Sequence, residues 1–248
     1  MRFAAIADIH GNCLALEAVL ADIAAQGIAY DHVVNLGDCF SGPLEAGRTG
    51  DLLLLLELVT VRGNHDRYLI ELARADMHAS DALAYDQLSP RHLNWLRQLP
   101  VTTVWRDQVF LCHATPEIDD VYWLDSVSPD GLVHLRSRVE IEAFAKGIDQ
   151  ELILCGHSHL PRSIRLEDGR LIVNPGSVGC PAYDDDVPFY HRVEAGTPLA
   201  SYAILDKTEG HWTVTSRLVP YRHLDMARLA SERGRPDWAS ALASGWLA

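Results

Sequence analysis

Five short apolar runs in this chain each stop on a residue capable of metal binding or acid–base chemistry. "RFAAIA" (2–7) gives way to Asp8, with His10 two residues on, and "HVVNLG" (32–37) to Asp38. "LVTVRG" (58–63) leads into Asn64, His65 and Asp66, and "QVFLCHA" (108–114) carries His113 at its end. "ELILCG" (151–156) runs into His157, with His159 two residues on. Apolar runs of this length, bounded by glycine and polar residues, read as buried strands. Between the first two, Leu16, Val19, Leu20 and Ile23 recur at helical spacing, with Asn12 as N-cap and Gly27 as the stop. Strand and helix in alternation imply parallel βαβ units and an α/β fold. Such sheets bind their ligands outside the carboxyl ends of the strands, so all these side chains would converge on one edge. Gly11, Gly37, Gly63 and Gly156 sit at or near the turns and let the backbone change direction there.

The remaining pattern is mixed. Helices are expected over 66–75, over 89–99 with Ser89 as N-cap and Pro90 at the first helical position, and over 130–146. A strand is expected at 101–105, and hairpins over 163–177, turning at Asp168-Gly169, and over 200–219. The tail 223–248 reads as one or two short helices, with Pro236 opening the last. Residues 180–199, rich in Pro and Asp, read as one long irregular loop of functional use. With no repeat or linker to divide it, the chain is read as one domain over residues 1–248.

Composition narrows the classes. Apolar residues at 48% and charged residues at 22% fit an ordinary globular protein. A net charge of −13 argues against a nucleic-acid partner, which calls for a basic face, although a bound metal can invert the local sign of the field. The longest apolar run, Leu52–Leu56, is far short of the roughly 20 residues of a membrane span. No signal-peptide cleavage site follows the N-terminal run, and the five cysteines are scattered. These features point to reduced thiols, a cytoplasmic protein and no membrane partner, and they leave an oligomer open.

Any one of these histidines alone reads as a structural residue, and a lone aspartate after a strand reads as a helix cap. The set is harder to explain that way. Caps favour Ser as strongly as Asp, yet none of these strand ends uses a hydroxyl. Oxygen and imidazole donors together suit borderline cations such as Mn²⁺, Fe²⁺ or Zn²⁺.

The ordered motifs Asp8-x-His10, Gly37-Asp38, Gly63-Asn64-His65-Asp66, a lone His113 and Gly156-His157-x-His159 resemble the signature of the calcineurin-like metallophosphoesterases. "NPGSVG" (174–179) resembles the segment that follows it in small bacterial phosphodiesterase-like members. The resemblance implies a four-layer α/β/β/α sandwich of two mixed sheets flanked by helices. It implies two divalent metal ions, one held by Asp8, His10, Asp38 and His159, the other by Asp38, Asn64, His113 and His157, with Asp38 bridging. It places His65 near the scissile ester, to protonate the leaving group, with Asp66 either orienting it or capping the next helix. Asn12, Arg67, Asn174 and Ser177 become candidate substrate contacts. Arg62 could clamp phosphate or pair at the surface, and Tyr122 or Trp123 could stack on a base or pack in the core. The histidine motif "CHATP" (112–116) departs from the family, which more often has glycine beside this histidine.

The expected activity is therefore metal-dependent hydrolysis of a small phosphoester, foremost a nucleotide-like phosphodiester. Phosphomonoesterase or protein-phosphatase-like activity is the alternative, and a non-catalytic scaffold comes third.

Overall fold

A computed structural model describes residues 1–248. In chain order the first elements are β1 (Arg2–Ile6), α1 (Cys13–Ala25), β2 (Val33–Asn35), α2 (Ala46–Leu56), β3 (Val59–Thr60), α3 (Asn64–Glu71), α4 (Ala79–Tyr85) and α5 (Pro90–Gln98). The middle holds β4 (Thr102–Trp105), β5 (Val109–Cys112), β6 (Asp125–Val127), β7 (Val133–Leu135), α6 (Arg138–Phe144) and β8 (Leu152–Leu154). The chain closes with β9 (Arg162–Arg165), β10 (Leu171–Asn174), β11 (Ala182–Asp185), β12 (His191–Glu194), β13 (Ala200–Thr208), β14 (His211–Val219), α7 (His223–Glu232) and α8 (Pro236–Ser244). No helix is long and apolar enough to cross a membrane.

Two five-stranded mixed sheets form the centre, in the orders β14-β13-β1-β2-β3 and β4-β5-β8-β10-β9. Strands β1, β2 and β3 run parallel, as do β5, β8 and β10; their neighbours β13, β4 and β9 run antiparallel to them, and β14 pairs antiparallel with β13 at the edge. The layering follows from side-chain alternation along strands that are apolar on both faces. Phe3, Ala5 and Ala7 point into the core between the sheets, where they meet Leu111, Leu152 and Leu154. Ala4 and Ile6 point the other way, onto Leu16, Val19 and Ile23 of α1. On the far side, Ile153 and Ile172 pack beneath Ile141 of α6. This is the expected α/β/β/α sandwich, and it brings the carboxyl ends of β1, β2, β3, β5 and β8 to one edge.

The differences from the sequence reading are local. The helix expected over 130–146 shortens to α6, because residues 133–135 pair with 125–127 in a small hairpin. Residues 180–199 are not one irregular loop: β11 and β12 pair antiparallel over four positions, Ala182 to Asp185 against Glu194 to His191. Helix α3 begins at Asn64, earlier than expected. Helices α2 and α4, which the sequence reading did not place, fill the space before β3 and after α3.

Candidate metal centre

The backbone at the strand ends is unusual. Asp8, His10, Asp38, His157 and His159 all have positive φ, at 56°, 51°, 54°, 69° and 57°. Non-glycine residues seldom adopt this region, and strained positions of this kind gather at functional sites. Two glycines beside them are required for space. A Cβ on Gly63 would stand 2.1 Å from Asp38 Oδ1, and one on Gly156 would stand 3.0 Å from Asp8 Oδ2. The candidate side chains themselves turn the chain, and glycine lets neighbouring strands approach them.

Two groups of donors result, Asp8 with His10 and His159, and Asp38 with His113 and His157. Proton positions show what they can bind. Nδ1 of His10 lies 2.7 Å from the Ser41 carbonyl, and Nδ1 of His159 lies 2.8 Å from that of Cys180. A carbonyl only accepts, so each ring carries its proton on Nδ1 and presents a lone pair at Nε2. Those two Nε2 atoms stand 3.1 Å apart, with Asp8 Oδ1 3.5 Å from that of His159. Asp8 Oδ2 is buried without any hydrogen-bond partner. Burial lowers the His10 pKa to about 4 and holds His159 well below the usual imidazole range, so neither ring supplies a proton to the gap. Lone pairs aimed at one another in a buried place fit a cation.

In the second group His113 shares the main-chain anchor at Nδ1 but not the lowered pKa. His113 is bound at Nδ1 by the Leu36 carbonyl at 2.7 Å, and its Nε2 faces Asn64 Oδ1 at 3.0 Å and Asp38 Oδ2 at 3.2 Å. Asp38 Oδ1 accepts from the His65 main-chain N–H at 3.0 Å, which turns Oδ2 towards both groups; it lies 3.9 Å from His10 Nε2. Burial disfavours a charged His113, yet the Asp38 carboxylate outweighs it and pushes the pKa up to about 10. The same negative field would be neutralised by a divalent ion. The residues present therefore fit two metal ions, with Asp38 between them. The departure at "CHATP" does not displace His113, since Cys112 and Ala114 are themselves buried small residues.

His65 lies at the rim with its side chain 30% exposed, its ring 5.6 Å from that of His10. Its Nδ1 meets Asp81 Oδ1 at 2.8 Å. Burial disfavours the imidazolium, but the Asp38 carboxylate and the bond to Asp81 raise the pKa to about 9. Asp81, fully buried on α4, was missed in the sequence, where nothing sixteen residues beyond His65 marks it.

Asp66 does not orient His65. Its Oδ2 accepts from Asp38 N at 2.9 Å and Gly63 N at 3.1 Å, and its Oδ1 from Cys39 N at 2.9 Å. It holds the Asp38 turn against the start of α3. The four candidate substrate contacts also make their hydrogen bonds inside the fold. Asn12 caps α1 through Ala15 N and donates to the Gly179 carbonyl and the Tyr221 hydroxyl. Asn174 ties the Gly156 carbonyl to Gly176 N, and Ser177 links the Asp8 carbonyl to Cys180 N. Arg67 forms two 2.7 Å bonds to Asp119. Arg62 has its Nε buried without a partner. Trp123 is in the core, whereas Tyr122 packs its ring 5.0 Å from that of His157. All five cysteines are buried and free, and burial raises the thiol pKa of Cys39 and Cys155, as expected of small apolar filling beside the site.

This fold and site define a metallophosphoesterase. The chain belongs to the calcineurin-like phosphoesterase superfamily, whose domain model matches residues 1–197. It is accordingly a metal-dependent hydrolase of phosphoester bonds. A protein of Methanocaldococcus jannaschii described as uncharacterized protein MJ0912 is 27% identical over 228 residues, covering 83% of each chain. The crystal structure of a metallophosphoesterase from Sphaerobacter thermophilus superposes with a TM-score of 0.77 at 28% identity, covering 99% of both chains. The hypothetical protein PH1004 from Pyrococcus horikoshii shares the fold, with a TM-score of 0.76 at 18% identity over 100% of this chain and 99% of its own.

Proposed function

We propose that this protein is a two-metal phosphodiesterase acting on a small nucleotide-like substrate. Asp8, His10, Asp38 and His159 hold one divalent ion; Asp38, Asn64, His113 and His157 hold the other. The observation that carries this reading is the pair of unprotonated Nε2 atoms of His10 and His159, 3.1 Å apart. The oxygen and nitrogen donor set suits Mn²⁺, Fe²⁺ or Zn²⁺, and Mn²⁺ is the first to test. When bound, the ions would supply Lewis acidity and lower the pKa of a water for attack on a phosphoester.

The chain's own part in the reaction centres on His65. Asp81 occupies Nδ1, so the transferable proton is the one on Nε2, placed to reach a leaving alkoxide. The Asp38 carboxylate and the bond to Asp81 together favour the protonated ring. Asn12, Asn174, Ser177 and Asp66 serve by fixing the ligand turns. Arg67 is engaged by Asp119 inside the fold, and the diester preference rests on the resemblance of segment 174–179 to small phosphodiesterase-like members. Five free cysteines suit a reducing cytoplasm.

The test compares hydrolysis of bis-p-nitrophenyl phosphate and p-nitrophenyl phosphate by metal-stripped protein titrated with Mn²⁺, beside His65→Ala. The expected result is metal-dependent diester cleavage, reduced about 10²–10⁴-fold in the variant with its metal retained. Faster monoester cleavage would overturn the diester assignment, and full activity in the variant would overturn the role of His65.

A further inference from the structure

Three of the four clustered imidazoles are locked by the main chain. Nδ1 of His10, His113 and His159 lies 2.7, 2.7 and 2.8 Å from the carbonyls of Ser41, Leu36 and Cys180. His157 differs. Its ring has no main-chain bond as close as these, only the approach of the Asp120 carbonyl, and it is the most exposed of the four. The rings packed against it are Tyr122, at 5.0 Å, and His113, at 5.2 Å.

Tyr122 is itself fixed, and by a different part of the chain. Its hydroxyl lies 2.6 Å from that of Tyr183 and 2.9 Å from His191 Nε2. His191 Nδ1 is 2.8 Å from the Phe189 carbonyl, so it carries the proton there and Nε2 accepts. Tyr122 must then donate to His191 and accept from Tyr183, which gives the chain of bonds one direction. Tyr183 and His191 belong to the paired strands β11 and β12. Three residues beyond Tyr122, Asp125 accepts from Ser158 Oγ at 2.8 Å. The segment 122–125 therefore holds the turn between His157 and His159 at two points. Both histidines are at positive φ, a conformation that persists where the surroundings enforce it.

We propose that Tyr122, held by its bond to His191, is a positioning residue for His157 and sets the affinity of the ion held by Asp38, Asn64, His113 and His157. Tyr183 of the same hairpin packs 4.6 Å from His159, on the side of the other ion. The inference rests on the two-ion reading above. Partners that orient metal ligands typically govern affinity about 10–100-fold.

The test is Mn²⁺ titration of the metal-stripped full chain against a competing chelator, followed by electron paramagnetic resonance, which separates isolated from exchange-coupled ions. Wild type is expected to take two ions and develop the coupled signal. Tyr122→Phe keeps the ring but loses both hydroxyl bonds, and should weaken one ion about 10-fold while leaving the other unchanged. Tyr122→Leu should weaken that ion about 100-fold, and His191→Ala, which leaves the Tyr122 ring in place but removes its hydrogen-bond partner and the edge contact at 5.6 Å, should act in the same direction as Tyr122→Phe. Thermal unfolding of the metal-free forms checks that each variant is folded. Two ions bound as in wild type by every folded variant would overturn the inference, as would equal weakening of both ions. Wild type binding no Mn²⁺ would instead overturn the two-ion reading, and this inference with it.

Discussion

Replacing Gly63 by alanine should disable the whole metal centre through a residue that is not a ligand. At φ −89° the backbone of Gly63 suits any amino acid, so the effect is one of space alone. The added Cβ would lie 2.1 Å from Asp38 Oδ1 and 2.6 Å from Asp38 N. The Asp38 carboxylate would have to retreat by more than an ångström to reach ordinary contact, whereas metal–ligand distances tolerate only about 0.2 Å. Because Asp38 faces both donor groups, both ions are lost together. Forcing a methyl into this packing should cost the metal-free protein about 1–3 kcal/mol. The metal-loaded comparison should show a larger gap, since wild type gains about 2.7 kcal/mol from a ligand at a hundredfold excess over its Kd and the variant gains nothing. Urea denaturation with and without Mn²⁺, together with metal content after gel filtration, reads both quantities. A Gly63→Ala protein that keeps two ions per chain, with the wild-type shift in midpoint on adding Mn²⁺, would refute the reasoning.

Three further outcomes follow from other contacts. Asp66→Ala strips the acceptor from three buried N–H groups at Asp38, Cys39 and Gly63, and should cost about 3 kcal/mol or more in urea denaturation; a loss under about 1 kcal/mol would contradict its role. Asp81→Asn keeps an oxygen near His65 but removes the charge that sustains its proton, so diester turnover at neutral pH should fall about tenfold or more with metal content unchanged; wild-type turnover would contradict this. Arg217 binds Asp22 through two nitrogens and holds its carboxyl below the usual range, so the pair's stabilisation is complete above the unfolded carboxylate pKa of about 3.9 and is lost as pH falls below it. Arg217→Leu should therefore flatten the decline of Tm below about pH 4, and an unchanged acid limb would count against the pair.

The α/β character and the convergence of donors were legible from short apolar runs that each stop on a donor side chain, with a glycine between at Asp38, Asn64 and His157. The sandwich and the seven candidate ligands came instead from the resemblance of the ordered motifs. Phe3, Ala5 and Ala7 alternating with Ala4 and Ile6 already describe a strand covered on both faces. What the sequence hides is direction and distance. Asn12, Asn174 and Ser177 read as candidate substrate contacts, but only the fold shows that Asn174 and Ser177 bond the backbone at Gly156 and Asp8 while Asn12 caps α1 and reaches Gly179. Asp66 adjoins His65 in sequence, yet α3 carries it beneath Asp38, and the partner of His65 comes from α4. The β11–β12 hairpin lay concealed in a Pro- and Asp-rich stretch without the apolar alternation of a strand, and its side-chain partner Tyr122 lies some sixty residues earlier.

The claim at the centre of this account is that two ions lie on either side of the Asp38 carboxylate. Crystals grown with Mn²⁺ and measured at the manganese edge test it directly. Two anomalous peaks are expected about 3.5–4 Å apart, one among Asp8, His10 and His159 and one among Asn64, His113 and His157, with Asp38 between them. Peaks absent from these positions, with His10 and His159 still turning their bare nitrogens towards each other, would contradict it.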